Sequence, residues 1–254
     1  MILTGSVAAA CATSPTGQKQ LKLFPEATIA EMGVTAFQQI KQKTPVSKDS
    51  RVNRYVNCVA DAVTRQVGQN TRWEVTVFDD DAANAFALPG GKIGVYTGLL
   101  KVAANQDQLA TVLAHEVAHV LANHGNARIS AAYATEAGLQ LAQALAGTPS
   151  AQTNQLLGLL GLGAQVGVLL PYGRGQESEA DILGLGYMAR AGFDPRESIG
   201  LWQNMARANK RQPPEFLSTH PAHGTRIDDL QRAMPGALKA FNAARAGGRN
   251  PQCR

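Results

Sequence analysis

Long apolar runs are scarce in this chain of 254 residues, and so are cysteines. The most apolar stretch, residues 156–170, contains four glycines and a glutamine and is shorter than the ~20 apolar residues that a membrane-spanning helix needs. We therefore expect it to be a buried or interfacial segment. With only three cysteines, the chain cannot be a small scaffold in which disulfides replace the hydrophobic core.

A strong net charge is missing as well. The 24 lysines and arginines exceed the 19 aspartates and glutamates by five, and the pI is about 9.2. Neither a stripe of basic and aromatic residues nor a nucleic-acid motif accompanies this mild excess, so we expect no nucleic-acid partner. The sequence has no evident internal repeat and no linker, and its length fits one main domain.

The most informative feature of the sequence is the pentapeptide His115-Glu116-Val117-Ala118-His119. On a helix, residues four positions apart lie on the same face, so both imidazoles can bind one metal ion. Glu116 lies about 100° away around the helix axis, where its carboxylate can accept a proton from a water molecule beside that metal. The alternative is a surface helix with two unrelated histidines.

The surrounding sequence favours a buried helix over about residues 106–124. Asn105 followed by Gln108 can form a capping box, and Gly125 is placed to end the helix after His124. Histidines and a glutamate inside a buried helix need partners, and a metal ion would supply them. Apolar side chains recur at steps of three and four residues, namely Leu109, Val112, Leu113, Val117, Val120 and Leu121.

A catalytic zinc usually takes three protein ligands and keeps one position open. The metzincin solution is excluded, because the positions that it requires hold Ala122 and Gly125. His124 lies roughly 140° from the ligand face of the helix, and we interpret it as a helix-end histidine. The acidic segment at 177–181 is a better candidate for the third ligand, since Glu177 can bind the metal while Asp181 orients a ligating histidine. A solvated acidic patch is the alternative.

These two motifs, in this order, resemble those of the gluzincin peptidases of the HtpX and CAAX prenyl-protease family, in particular its periplasmic and lipoprotein members. The resemblance extends over about residues 25–235, and further matches lie at 84–91, 95–99, 170–172, 218–221 and 226.

The resemblance implies a zincin-like domain in which His115, His119 and Glu177 bind one Zn²⁺ ion per chain. Glu116 would then be the general base, and Asp181 would orient a ligating histidine without binding the metal itself. Glu179 is the weaker ligand candidate, because it faces the other way on the same helix.

Two residues near the C-terminus are further candidates for the site. A gluzincin usually presents a late His, Tyr or Arg to the tetrahedral intermediate, whereas in relatives of this type the His of a His-Pro pair can occupy the open zinc position and hold the enzyme inactive. His220 precedes Pro221, and three roles stay open for it: a transition-state donor, a fourth ligand in a latent state, or the end of a loop. Arg226 is a weaker candidate donor.

We expect an α+β fold that is mostly helical, with a small β-sheet beside the helix that carries the His115–His119 motif. Helical apolar spacing marks residues 24–44, 50–68 and 126–146, a segment opened by Asp194-Pro195, and a last segment after residue 226. Alternating apolar residues at 73–78, and two short pieces at 85–88 and 92–96 joined by a Pro-Gly-Gly turn, predict strands.

The piece that contains Ala85, Phe86 and Ala87 is a candidate substrate-binding strand. An edge strand beside the metal helix would pair with a peptide through its backbone, which gives affinity with little sequence preference. The alternative is a hairpin that only covers the core.

The N-terminus resembles the end of a bacterial lipoprotein signal peptide. Val7-Ala-Ala-Ala-Cys11 precedes a polar segment at 14–17, although no basic region precedes the short apolar run. We therefore expect residues 1–20 to be a signal remnant and tether with Cys11 lipidated, and residues 21–254 to be one metallopeptidase domain. This anchor would place the protein on the periplasmic side of the bacterial outer membrane.

Cys58 and Cys253 form an even pair once Cys11 is set aside. In an oxidising compartment we expect them to form a disulfide that fixes the C-terminal tail to the second helix. Two free thiols in a reducing compartment are the alternative.

These features predict a zinc-dependent endopeptidase that hydrolyses peptide bonds of unfolded or misassembled envelope proteins, with the outer-membrane assembly machinery as a further candidate partner. The alternative is a zinc-stabilised, largely latent chaperone or assembly factor for outer-membrane proteins. Glu116 favours the enzyme, because a purely structural zinc site has no use for a general base.

Overall fold

The computed structural model describes residues 11–67, 71–146, 172–209, 215–221 and 225–254. Helices dominate these residues, and a small sheet accompanies them, so the predicted α+β class is confirmed. The helices are α1 (Glu26–Lys43), α2 (Ser50–Thr64), α3 (Gln106–Leu121), α4 (His124–Ala146), α5 (Arg174–Ala191), α6 (Glu197–Asn209), α7 (Phe216–Thr219) and α8 (Arg226–Ala246). The strands are β1 (Cys11–Thr13), β2 (Lys19–Leu21), β3 (Glu74–Phe78), β4 (Ala85–Leu88) and β5 (Lys92–Tyr96).

Strands β3, β5 and β4 form one sheet in that order. Strands β3 and β5 run parallel, whereas β4 and β5 form an antiparallel hairpin with Phe86 opposite Gly94. Gly90 and Gly91 turn the hairpin with φ values of 83° and 74°, a backbone region that favours glycine. Because β4 is the last strand in this order, one of its edges is unpaired within the described part of the sheet.

Helix α3 lies at the centre of the domain, between the sheet and helices α2 and α5. Its apolar stripe is fully buried, as Leu109, Leu113 and Val117 show, and the side chain of Asn105 accepts a hydrogen bond from the backbone N–H of Gln108 at 2.9 Å. The predicted buried helix is therefore confirmed.

The predicted end of α3 at residue 124 is wrong. The helix ends at Leu121, because Asn123 adopts the left-handed conformation with φ of 58°, which asparagine tolerates better than most residues. Helix α4 then begins at His124, so that Gly125 lies inside α4 instead of ending α3. This sharp turn directs His124 back toward the helix that precedes it.

The predicted disulfide between Cys58 and Cys253 is confirmed, and it joins α2 to the C-terminal tail. Cys11 is free and exposed.

Strands β1 and β2 form an antiparallel hairpin that contacts the rest of the domain. The backbone N–H of Thr16 donates to Glu179 Oε1 at 2.9 Å, and Gln20 Nε2 donates to the backbone oxygen of Ala122 at the same distance. The signal-like residues that precede Cys11 lie outside the described residues, as does the apolar stretch at 156–170. Among the helices that are described, none is long and apolar enough to cross a membrane.

Candidate metal centre

Helix α3 carries the three polar residues of its motif into the protein interior. His115, Glu116 and His119 are 3%, 1% and 1% exposed. Burying such groups is costly unless each has a hydrogen-bond partner or binds a metal, so the alternative of a surface helix with unrelated histidines is excluded.

Helix α5 supplies the acidic side of the site. Glu177 and Asp181 lie one turn apart and are 0% and 5% exposed, which excludes a solvated acidic patch. The two helices approach closely at Gly184, where an added Cβ atom would lie 2.9 Å from the backbone nitrogen of His115.

Four side chains converge at one buried point between α3 and α5. One potential ligand atom from each of His115, His119, Glu177 and His220 lies within 4.8 Å of the others. The Nε2 atoms of His115 and His119 are 3.0 Å apart, and Glu177 Oε1 lies 3.3 Å from His119 Nε2. The structure thus brings the three sequence-predicted metal ligands together and adds His220 to them.

The donor set fits a metal ion. His115 Nδ1 lies 3.0 Å from Asp181 Oδ1, and when Nδ1 donates its proton there, the neutral ring has a lone pair on Nε2. His119 Nδ1 likewise lies 2.9 Å from His124 Nδ1, and with a proton on Nδ1 the lone pair of His119 Nε2 would face that of His115. Two facing lone pairs in a buried site repel each other, whereas a divalent cation among them satisfies both. Two or three imidazoles and a carboxylate are typical zinc ligands.

Arg226 lies behind the carboxylates. Its Nε and Nη2 atoms donate to the two oxygens of Asp181 at 2.7 and 2.6 Å, and its Nη1 donates to Glu177 Oε2 at 2.6 Å. The guanidinium also stacks on the ring of Trp202, 3.8 Å from the ring centre. Because Glu177 Oε2 is held in this way, Oε1 is the oxygen that faces the histidines. This position suits a positioning residue better than a donor to a reacting carbonyl.

Glu116 faces the cluster from the side of strand β4. Its Oε2 atom accepts a hydrogen bond from the backbone N–H of Ala87 at 3.1 Å. Its Oε1 atom is buried and has no hydrogen-bond partner among the described residues, although His220 Nε2 lies 3.2 Å away in a poor geometry. A carboxylate with one anchored and one free oxygen has the arrangement that a general base requires.

Tyr172 closes the other side of the site. Its ring stacks on His119 with 3.7 Å between ring centres. The guanidinium carbon of Arg128 lies 3.5 Å from the centre of the Tyr172 ring. Tyr172, Glu116, Ala87 and His220 line a cavity of about 10 Å³, which is room for about one water molecule.

Burial shifts the pKa values of these groups in different directions. It raises the pKa of Glu116 above its usual range, against the opposing effect of His220 and His115, and it raises the pKa of Tyr172 to about 12. Burial also holds the pKa of His119 well below its usual range, so the ring is neutral, as a metal ligand must be. For Glu177 burial is outweighed by hydrogen bonds from His119 and His220, which hold its pKa far below the usual range.

The sequence analysis named His124 as a helix-end histidine and Glu179 as a weaker ligand candidate, but it did not predict that they contact each other and His119. His124 Nδ1 lies 2.9 Å from His119 Nδ1, and His124 Nε2 lies 3.2 Å from Glu179 Oε2. Both His124 and Glu179 are 1% exposed. The signal for this contact is Asn123, since asparagine is sometimes the left-handed residue that ends a helix and reverses the chain.

Comparison with known proteins agrees with this geometry. The model of peptidase family M48 matches residues 47–234. The chain belongs to peptidase family M48. This assignment confirms the predicted gluzincin resemblance and the predicted class of enzyme, a metallopeptidase.

Curated relatives are similar over much of the chain. The mitochondrial metalloendopeptidase OMA1 of Saccharomyces cerevisiae is 39% identical over 179 residues, which cover 67% of this chain and 49% of the relative. The human metalloendopeptidase OMA1 is 35% identical over 66% of this chain and 33% of its own. The beta-barrel assembly-enhancing protease of Escherichia coli is 29% identical over 79% of this chain and 42% of its own. The chain thus spans between a third and a half of these relatives.

The relatives correct the predicted localisation. The predicted location on the periplasmic side of a bacterial outer membrane is contradicted, because relatives at 35–39% identity are mitochondrial proteins. The prediction depended on a short run of small residues before Cys11, a pattern that is not specific to lipoprotein signal peptides. In the structure, Cys11 is the first residue of strand β1. The predicted lipid anchor at Cys11 depended on the same predicted location and has no remaining support.

Proposed function

We propose that this M48 member is a zinc-dependent endopeptidase, with one Zn²⁺ ion held by His115, His119 and Glu177. The observation that carries the proposal is Glu116 Oε1, a buried carboxylate oxygen without a hydrogen-bond partner among the described residues, which lies 3.2 Å from His220 Nε2 of the four-residue donor cluster. A metal that served the fold alone would have no use for such a group. Zinc is favoured over harder cations because imidazole nitrogens dominate the donor set.

The bound zinc would supply the Lewis acid that activates a water molecule near neutral pH and polarises the peptide carbonyl. Glu116 would accept the proton of the attacking water through Oε1 and deliver it to the leaving amine, so that the C–N bond breaks as the amine is protonated. The Ala87 N–H would hold the other carboxylate oxygen in place during both transfers. Asp181 would keep His115 in the tautomer that presents Nε2 to the metal.

Strand β4 is the proposed docking element for the substrate backbone. Its edge faces Glu116, as the hydrogen bond from Ala87 shows, and an extended peptide added there would present its carbonyl to the site. Recognition along Ala85, Phe86 and Ala87 would depend on backbone groups other than the Ala87 N–H, which Glu116 retains, so the substrates would be unfolded or misassembled proteins that expose extended segments.

His220 favours a closed resting state of this enzyme. Its Nδ1 atom lies 3.0 Å from Glu177 Oε1 and 3.2 Å from His115 Nε2, a position from which it can act as a fourth ligand. Its Nε2 atom lies 3.2 Å from Glu116 Oε1, so the ring bridges the proposed base and two members of the ligand cluster. We therefore propose that His220 must move before a substrate is cleaved. A latent protein that binds misassembled partners without cutting them is the second candidate function, and the same observation supports it.

Cleavage of casein by the wild type and by Glu116→Gln tests the proposal. Glu116→Gln keeps the shape of the side chain but removes the base, so it should retain zinc and lose cleavage by at least the ~100-fold that a general base typically contributes. Glu31→Gln, an exposed position on α1, is the matched control and should cleave as the wild type does. Equal cleavage by Glu116→Gln would contradict the mechanism. Zinc binding without cleavage by the wild type or by His220→Ala would favour the second function.

A further inference from the structure

We infer that His124 and Glu179 position His119 for metal binding, so that this ligand is oriented through a second histidine. The inference rests on the proposed zinc site and concerns the groups behind one of its ligands. The three side chains form a chain in which His119 Nδ1 and His124 Nδ1 are 2.9 Å apart, and His124 Nε2 and Glu179 Oε2 are 3.2 Å apart. All three are 1% exposed.

Donor and acceptor roles along this chain follow from the metal site. If His119 presents the lone pair of Nε2 to the cluster, its proton is on Nδ1. His124 Nδ1 must then accept that proton's hydrogen bond, which places the proton of His124 on Nε2. Glu179 accepts from Nε2 through Oε2, and every ring nitrogen in the chain has one complementary partner.

The other proposed histidine ligand, His115, contacts a carboxylate directly, without an intervening ring. Its Nδ1 atom donates directly to a carboxylate oxygen of Asp181 at 3.0 Å. Glu179 lies on the same helix as Asp181 but faces away from the metal, and the intervening ring of His124 bridges it to His119. The bridge exists because the turn at Asn123 returns the chain at the end of α3, as its φ of 58° shows.

Glu179 is itself fixed from outside the site. Its Oε1 atom accepts a hydrogen bond from the backbone N–H of Thr16 at 2.9 Å, in the turn of the β1–β2 hairpin. Each oxygen of Glu179 therefore has a separate donor, one toward the metal and one toward the hairpin. An amide cannot accept at both ends, so Glu179→Gln would leave one of these two donors facing an NH₂ group.

A pair of substitutions at His124 separates orientation from packing. Asparagine places Oδ1 where the imidazole has Nδ1 and can still accept from His119, whereas leucine has nearly the same size but no acceptor. In the full chain loaded with zinc, we expect His124→Leu to release zinc to an excess of chelator about 10–100-fold faster than the wild type, in line with the loss of metal affinity that follows removal of a ligand's supporting group. His124→Asn should recover most of this loss, and Glu179→Gln should lie between the wild type and His124→Leu.

Two controls make the outcome decisive. Ser130→Ala removes another buried hydrogen-bonding group of α4 and should release zinc at the wild-type rate. Unfolding temperatures of the metal-free proteins report any general loss of packing. Equal release rates for His124→Asn and His124→Leu would overturn the inference, and if His124→Leu does not fold, a wild-type rate in Glu179→Gln would overturn it. A wild type that binds no zinc would overturn the proposed function, whereas zinc binding with unchanged release in all variants would overturn this inference alone.

Discussion

Gly184 on helix α5 lies against the backbone of His115 on helix α3, so closely that an added Cβ atom would be 2.9 Å from the His115 nitrogen. The neighbour is backbone and cannot rotate away as a side chain could. This contact sets the distance between the helix that carries the two histidines and the helix that carries Glu177. The ligand geometry of the proposed site therefore depends on a residue that has no side chain.

Gly184→Ala should weaken metal binding. The methyl group would push α5 away from α3, and misplaced ligands lose affinity steeply, so we expect zinc to bind at least ~10-fold more weakly, by analogy with the loss of a supporting group. Competition with a calibrated chelator measures this. Gly186→Ala is the matched control on the same helix, because its new methyl group would meet only the flexible end of Arg190. It should bind zinc normally and gain up to ~1 kcal/mol of stability from helix propensity. Equal zinc affinity in both variants would show that the close contact is unimportant.

His220→Ala should increase cleavage. Removal of the imidazole frees the position beside Glu177 and His115, and the protein no longer has to open before a substrate binds. Minor open states usually have populations of 0.1–10%, so we expect cleavage of casein to rise by about tenfold or more. Zinc content measured on the same samples must remain at the wild-type level. A fall in cleavage with zinc retained would instead identify His220 as a donor to the transition state.

The sequence was sufficient to predict the residues that share a periodic pattern. His115 and His119 are four residues apart on a strongly apolar helix, and Glu177 and Asp181 repeat the same spacing on the second helix. Their convergence follows from these two patterns and from the family resemblance. The strands around the Pro-Gly-Gly turn were predictable for the same local reason.

Features that depend on a single backbone angle were not predictable in this way. The position of His124 follows from the left-handed conformation of Asn123, and a straight helix through residue 124 would direct the same histidine away from His119. The role of Tyr172 depends on how its ring stacks on His119, a contact between segments far apart in sequence. The N-terminal pattern was misleading because small residues before a cysteine are not specific to one compartment.

Loss of the disulfide should destabilise the domain. Cys58 and Cys253 close a loop with a sequence separation of 195 residues, and removing a native disulfide commonly costs about 2–5 kcal/mol. We expect Cys253→Ser to lower the free energy of unfolding by this amount in urea titrations. The exposed thiol of Cys11 provides the control, since Cys11→Ser should unfold as the wild type does. Identical midpoints for the wild type and Cys253→Ser would contradict this role.

Glu74 should contribute stability that disappears in acid. Hydrogen bonds from Lys41 and Lys92, at 2.6 and 2.7 Å, lower its pKa below the usual 4.5. A lowered pKa in the folded state stabilises the protein above the unfolded pKa, and the contribution is lost as the pH falls through the folded value. Because the side chain is 36% exposed, we expect only ~0.5–1 kcal/mol.

Unfolding of wild type and Glu74→Gln in urea at pH 7 and at pH 4 checks this expectation. The wild type should be the more stable at pH 7, and the difference should shrink at pH 4. Glu31→Gln serves as the exposed control with little change at either pH. A difference that stays constant with pH would show that the ion pairs do not cause it.

The most direct test of the metal site is the amount of zinc that each purified chain retains after dialysis, measured by atomic emission for the wild type, His119→Ala and Glu116→Gln. The proposed site predicts one zinc per chain in the wild type and in Glu116→Gln, because the base is not a ligand, and a loss of most of the zinc in His119→Ala. Equal zinc content in all three proteins, or none in the wild type, would contradict it.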